Sequence, residues 1–375
     1  MNTLEEVLKK INKDSKSNIV GFGVKRAELR KIPFTSLRLN YMLYGGLPRG
    51  RIIEFFGAEG SGKTTSALDI VKNSQKLFEL EYKSEIEKLE KMENRDSESN
   101  KRLEFLRLGS PKKVVYIDCE NTLDEDWART LGVDIDKLVV LKPEEQTAEQ
   151  IFEITMEILL TGEIGLIVLD SIGVMISSQA YEKTIEEKTY GGISKALTVF
   201  SQKLILACNR YDTTFIGINQ IREDLSATYQ NAYTTPGGKA WKHNCSVRME
   251  FRKGYYINEK NERLTNADSI SPDGNVVDVA IKKTKVCKPN RLKGMFTINY
   301  TFGIDYISDL IDLAIKFDIC TQRGSYFNFY DNENNMRTFE DRTLSFQGKY
   351  NLYNYIKQNS EFNTLLYKEV SDKLI

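Results

Sequence analysis

The run Gly57-Ala58-Glu59-Gly60-Ser61-Gly62-Lys63-Thr64-Thr65 constrains this chain more than any other stretch. It satisfies G-x-x-x-x-G-K-[ST] directly after the apolar segment Ile52-Ile53-Glu54-Phe55-Phe56, so a strand must hand over to a helix through a glycine-rich loop. Such a loop turns successive backbone N–H groups toward phosphate oxygens, and the helix that follows adds its positive end to the same anion. Lys63 is then placed for the β- and γ-phosphates and the Thr64 hydroxyl for Mg2+. The pattern implies a nucleoside triphosphate site. A glycine-rich turn with a chance Lys-Thr is the bland alternative, and it leaves the flanking strand and helix patterns unexplained.

Composition bounds what surrounds that loop. The 375 residues suffice for one large α/β core with small appendages. Lys plus Arg equal Asp plus Glu at 53 each, which argues against a chain held to nucleic acid by overall charge, so any such binding must come from local basic elements. Cys119, Cys208, Cys245, Cys287 and Cys320 show no C-x-x-C spacing and read as reduced thiols of a cytoplasmic protein. His243 is the sole histidine, which removes multi-histidine metal centres. No secretory leader and no run of about 18 apolar residues is present, so no membrane association is expected.

Along the chain, residues 1–31 form a short helix candidate (Leu4, Val7, Leu8, Ile11) and a basic connector, an arm too small for its own core that must pack on this chain or on another copy. Residues 66–80 carry the helical pattern that should follow the loop. Residues 79–112 alternate in charge around Ile86, Leu89 and Met92, break at 94–100, and resume at Leu103, which predicts a charged helical hairpin inserted into the core. It reads either as a surface elaboration or as a partner-binding arm. Apolar runs at 114–117, 138–141, 166–169 and 214–218 alternate with helical stretches, predicting a largely parallel sheet covered on both faces, with the ligand at the carboxyl ends of its strands.

Three of those strands end in polar residues suited to phosphoryl chemistry. Asp170 closes an apolar run in the manner of a metal-holding acid. Glu120 reads either as a general base for water or as an exposed strand-end acid. Gln220 carries an amide that can hydrogen-bond a γ-phosphate, an assignment that chemistry alone leaves open.

These motifs together carry a resemblance. Residues 46–54 with the phosphate loop, Ile117-Asp118-Cys119-Glu120-Asn121-Thr122-Leu123-Asp124, Leu169-Asp170-Ser171, Ile218-Asn219-Gln220-Ile221-Arg222 and 234–242 stand in the order and near the spacing of RecA-type recombinases, which the chain resembles from about residue 32 to residue 317. The resemblance implies a RecA-like ATPase core at 32–318 within an α/β fold, with the 79–112 insertion, a surface loop or hairpin extension at 254–278 and a small α/β domain at 319–375. It implies ATP and Mg2+ as cofactors, with residues 57–65 on the phosphates, Glu120 as catalytic glutamate, Asp170 with Thr64 on the metal and Gln220 as γ-phosphate sensor. Asp124, Trp127 and Tyr300 match positions around adenine, although Trp127 can equally pack its own helix. Lys283 and Lys285 match lysines that reach the neighbouring subunit's nucleotide, joining Lys63 in catalysis.

Two loops, at about 177–194 and 222–239, resemble the family's DNA-binding loops. Lys195 and Arg222 supply charge there, Gly237 and Gly238 let the backbone approach phosphates, Leu225 stands where an apolar residue wedges between bases, and Tyr229 can pack on DNA. Glu223 and Asp224 depart from the family pattern and would weaken binding. His243 stands where an apolar subunit-contact residue is usual. The implied function is an ATP-dependent recombinase that forms helical filaments on single-stranded DNA and exchanges strands with homologous duplex. The arm and the insertion suggest a phage-encoded or otherwise divergent member. A ring-forming helicase or motor and a mediator without strand exchange are the other readings.

Overall fold

The computed structural model describes residues 3–14, 29–183, 192–223, 233–265, 271–331, 333 and 335–374. Two units result, Met1–Arg30 and Lys31–Ile375. In the first, a helix spans Leu4–Asp14 and begins with a reciprocal cap: Thr3 N donates to Glu6 Oε2 at 3.0 Å and Glu6 N to Thr3 Oγ1 at 3.4 Å.

The second unit is built on a nine-stranded sheet whose strands we label along the chain: β1 Ile52–Gly57, β2 Lys113–Asp118, β3 Leu138–Leu141, β4 Ile164–Asp170, β5 Thr214–Gln220, β6 Val247–Ile257, β7 Gly274–Thr284, β8 Lys293–Asn299 and β9 Gly303–Ile304. Their spatial order is β9-β8-β7-β6-β1-β5-β4-β2-β3. From β6 to β3 every pairing is parallel, and β7, β8 and β9 add an antiparallel edge. The α/β, mostly parallel architecture expected from the sequence is the one present.

Strand periodicity divides the core in two. Ile53, Phe55, Val114, Tyr116, Leu166, Val168, Ile216 and Ile218 face the helix Lys63–Glu90, which contributes Ala67, Leu68, Ile70, Val71 and Phe78. Their neighbours Ile52, Val115, Ile117, Ile167, Leu169 and Phe215 face the helices Ala148–Leu160 and Gly192–Tyr211. Phe152 and Phe200 stack across those two helices with centroids 4.2 Å apart. Both faces are apolar because both are covered, which is why these strands read as continuous apolar runs. A third core gathers the helix Tyr306–Lys316, the strands Cys320–Arg323, Tyr326–Phe329 and Ser345–Gln347, and the helices Lys349–Gln358 and Ser360–Ser371 around Phe329, Phe362 and Leu37.

One segment differs from expectation, and one resolves a choice that the sequence left open. The charged insertion does not begin with a helix of its own, because the phosphate-loop helix runs on unbroken for 28 residues to Glu90. The helix Ser97–Leu108 then buries Leu103 and Leu106, with Arg102 paired to Glu85 at 2.8 Å and Arg107 to Glu90 at 2.7 Å. No proline or glycine interrupts 63–90, so nothing ends the helix where the charge pattern changes. The segment 254–278, read as a surface loop or hairpin extension, is strand at both ends: β6 extends to Ile257 and β7 starts at Gly274, with Tyr256 opposite Asn275.

Candidate active site and nucleic-acid loops

Parallel pairing brings the carboxyl ends of β1, β5, β4 and β2 side by side. Gly57 lies opposite Gln220, and Asp118 opposite Asp170. The phosphate loop leaves β1 under tight steric control. A Cβ on Gly57 would meet Phe251 O at 2.1 Å, and Gly62, at φ 89°, would press Ile298 and Val277 at 3.0 and 3.1 Å. Ser61 Oγ donates to Ala58 O at 2.7 Å. Lys63 Nζ donates to Ala58 O at 2.7 Å and Gly57 O at 3.1 Å, and burial lowers its pKa.

Thr64 and Tyr116 converge on one oxygen, each donating to Asp170 Oδ2 at 2.8 Å. Burial raises the pKa of Asp170 and pushes the Tyr116 phenol well above its usual range. A hydroxyl and a carboxylate held together offer hard oxygen donors of the kind Mg2+ takes. Glu120 hangs on the turn after β2, which Asp118 shapes by accepting from Thr122 N at 3.1 Å and Leu123 N at 3.0 Å. Its Oε1 accepts from Gln220 Nε2 at 3.1 Å and from Ser171 Oγ. Lys63, Thr64, Glu120, Asp170 and Gln220, scattered over 158 residues of sequence, thus form one constellation.

Beside the loop lies a cleft of about 390 Å³ lined by Gly60, Gly62, Thr65, Trp127, Tyr300 and three residues not anticipated, Lys253, Asn275 and Ile298. Tyr300 Oη donates to Asn275 Oδ1 at 2.9 Å. The open volume supplies the room a nucleotide needs, and the glycine cradle fits its phosphates. Asp124 is engaged as a cap, accepting from Trp127 N at 2.9 Å to start the helix Glu125–Thr130.

Lys283 and Lys285 lie elsewhere. Lys283 Nζ donates to Lys242 O at 2.7 Å and His243 O at 2.6 Å, and Lys285 Nζ donates to His243 O at 2.7 Å, capping the helix Gly238–Asn244. Burial, and then the charge of Lys285, lowers the pKa of Lys283. Gly57 lies level with Phe251 and Phe251 with Val279, so Lys283 stands four residues, about 13 Å, further along β7 and two strands across from the loop. The lysines are therefore beyond reach of their own phosphate loop.

Of the candidate DNA contacts, Arg222 donates from Nη2 to Gly173 O at 2.8 Å, tying the start of the second loop to the turn that precedes the first. Gly237 and Gly238 pack against Leu197 and Ser194 on the helix that bears Lys195. Lys195 itself borders a groove of about 730 Å³ shared with Glu149, Glu153 and Glu157. Leu225 and Tyr229, with Asp224, lie outside the described residues.

The family model for the RecA N-terminal domain matches residues 2–82 and 109–305, which leaves 83–108 as an insertion. The chain belongs to the RecA family. Similar proteins include Protein RecA of Fusobacterium nucleatum subsp. nucleatum, 34% identical over 304 residues (81% of this chain, 68% of that one). Protein RecA of Mycolicibacterium vanbaalenii is 30% identical over 374 residues, covering 99% of this chain and 91% of the relative. Protein RecA of Mycobacteroides abscessus is 31% identical over 374 residues, with 99% and 92% covered. As a RecA-family member the chain is an ATP-dependent recombinase of DNA recombination and repair, and its ATPase is DNA-dependent. Among the described residues no helix is long and apolar enough to cross a membrane.

Proposed function

We propose that the chain binds ATP with Mg2+ in the cleft between the phosphate loop and Tyr300, and polymerises on single-stranded DNA as a helical filament that pairs with homologous duplex. The observation that carries this reading is the junction of Thr64 with Asp170 and of Glu120 with Gln220 at neighbouring strand ends. Residues 57–65 would hold the phosphates, with Lys63 turning from the loop carbonyls to the γ-phosphate. Trp127 and Tyr300 would border the base, with Asp124 nearby. Thr64 and Asp170 would hold Mg2+, which supplies neutralisation of phosphate charge. Glu120 is the base that accepts a proton from water, and Gln220, bonded to that base, is placed to answer the γ-phosphate.

Lys283 and Lys285 are proposed to act on the adjacent protomer's nucleotide, since both amines are held on the carbonyls of Lys242 and His243, away from their own loop. A site completed in this way requires assembly, which makes a filament the natural working form. Arg222, Lys195, Gly237 and Gly238, with Leu225 and Tyr229, are proposed to contact the DNA backbone and bases. The cytoplasm is the proposed compartment, in line with five free thiols.

The test is ATP hydrolysis with single-stranded DNA of increasing length, beside a Lys63→Ala control. Stimulation that grows with length is expected, because each added protomer completes another site. A rate indifferent to DNA length in a preparation that binds ATP would overturn the filament reading.

A further inference from the structure

Glu54 is a carboxylate inside an apolar strand, with no exposed surface. Its Oε1 accepts from Asn219 Nδ2 at 2.9 Å and from Trp241 Nε1 at 3.0 Å, and its Oε2 accepts from Arg248 Nε. The same partners reach further. Asn219 Nδ2 also donates to Pro236 O at 2.9 Å, Asn219 Oδ1 accepts from Gln220 N at 3.1 Å, and Arg248 Nη2 donates to Thr235 Oγ1 at 3.2 Å. The Arg248 guanidinium lies 4.6 Å over the Phe56 ring.

These contacts have a common geometry. Asn219 and Gln220 form the stem by which the chain enters the second loop, and Thr235 and Pro236 follow Thr234 on its returning limb, where Thr234 pairs with Arg222. Trp241 belongs to the helix Gly238–Asn244, whose last carbonyls hold Lys283 and Lys285. We infer that Glu54 is a positioning residue that clasps both stems of the second DNA loop, and the helix bearing the lysine contacts, onto the phosphate-loop strand. The inference rests on the reading of that loop as a DNA contact.

The physics follows from burial. A carboxylate withdrawn from water is stable only while its donors stay in place, and removing one leaves the charge undersatisfied. Any displacement of Gln220 that carries Asn219 with it must therefore be followed by Trp241 and Arg248, or it breaks a bond to a buried anion. Such a network moves as a unit, so an event at the nucleotide and an event at the loop share one element.

Trp241→Phe tests this, because it deletes the indole N–H and keeps an aromatic ring in the pocket beside Phe215. The expected result is a DNA-free ATPase rate within about twofold of the parent and a DNA-stimulated rate reduced about tenfold. Equal reduction of both rates, leaving their ratio unchanged, would mean a merely structural role and overturn the inference. A second measurement needs no change at Trp241. With two tryptophans in the chain, Trp127→Tyr leaves Trp241 as the single indole, and oligo-dT with Mg-ATPγS should shift its emission. Unchanged emission while a labelled oligo-dT gains anisotropy would also overturn the clasp. Arg222→Ala separates the two readings. If it weakens oligo-dT binding while the Trp241→Phe ratio stays at the parent's value, the clasp alone fails. If it binds as the parent does, the loop reading fails and the clasp with it.

Discussion

At the scale of single residues, the phenol of Tyr116 shows what a motif does not contain. It is buried beneath Asp170 and donates to the same oxygen as Thr64, so it helps to hold a carboxylate that burial alone would push toward its neutral form. Hydrogen bonds to charged groups contribute about 1.5–3 kcal/mol, and Tyr116→Phe removes one without opening much space. Urea unfolding at pH 7 without nucleotide should show a loss of about 1–3 kcal/mol at unchanged m-value, and an unchanged midpoint would remove Tyr116 from the support of Asp170. In the sequence this tyrosine is one more apolar residue of a strand, as Glu54 is one polar residue in a run of apolar ones. Lys63, Thr64 and Asp170 were legible because their spacing and strand-end position carry the chemistry locally. Tyr116, Glu54 and Asn275 act through what lies across from them, and a linear reading shows a residue's type without its facing partner.

At the scale of elements, the insertion was visible in its alternating charges, while its attachment was not. The helix that begins at Lys63 continues through the change of composition because every residue from Ser66 to Glu90 tolerates helix, and tertiary contacts such as Arg49 on Glu81 hold it beyond the core. Twenty-eight residues at 1.5 Å each carry its end about 40 Å from the phosphate loop. The family model passes from residue 82 to residue 109, so the core does not depend on what lies between. Replacing 83–108 by a short Gly-Ser turn, which retains Glu81 for Arg49 and Tyr82 at the helix end, should leave the affinity for a fluorescent ATP analogue within about twofold. Loss of nucleotide binding by a variant with native circular dichroism would show that the insertion reaches the site. The β6–β7 extension was legible only as a choice between a surface loop and a hairpin. Its Asn, Lys and Asp content suits a solvent-facing antiparallel ribbon as well as a loop, and composition does not distinguish them.

At the scale of the whole molecule, the parallel sheet was legible because buried strands leave unmistakable apolar runs, whereas the joint with the C-terminal elements was not, because no motif marks it. That joint turns on Asp309, which reads as an ordinary acid in the first turn of the helix Tyr306–Lys316. It is 3% exposed and faces the core elements at 36–38. It accepts from Ser36 Oγ and from Arg38 N at 3.2 Å, while Arg38 pairs with Asp312 at 3.0 Å and Asp312 with Lys349 at 2.6 Å. Burial outweighs these donors and pushes the Asp309 pKa up to about 7. The folded chain then keeps a proton that the unfolded chain releases near pH 4, so stability from this residue is present at acid pH and declines as pH rises from about 4 to 7. Each unit of such a shift is worth about 1.4 kcal/mol, for a total on the order of a few kcal/mol. Asp309→Asn keeps an oxygen to accept from Ser36 and Arg38 and removes the proton. Other groups titrate in the same window and are common to both chains, so the difference between the two stability curves isolates Asp309. Denaturant unfolding from pH 5 to pH 8 should show the variant gaining on the parent up to about pH 7, levelling off above it, and exceeding the parent at pH 8. Parallel curves would mean that Asp309 is charged throughout, with the Arg38–Asp312–Lys349 network carrying the joint.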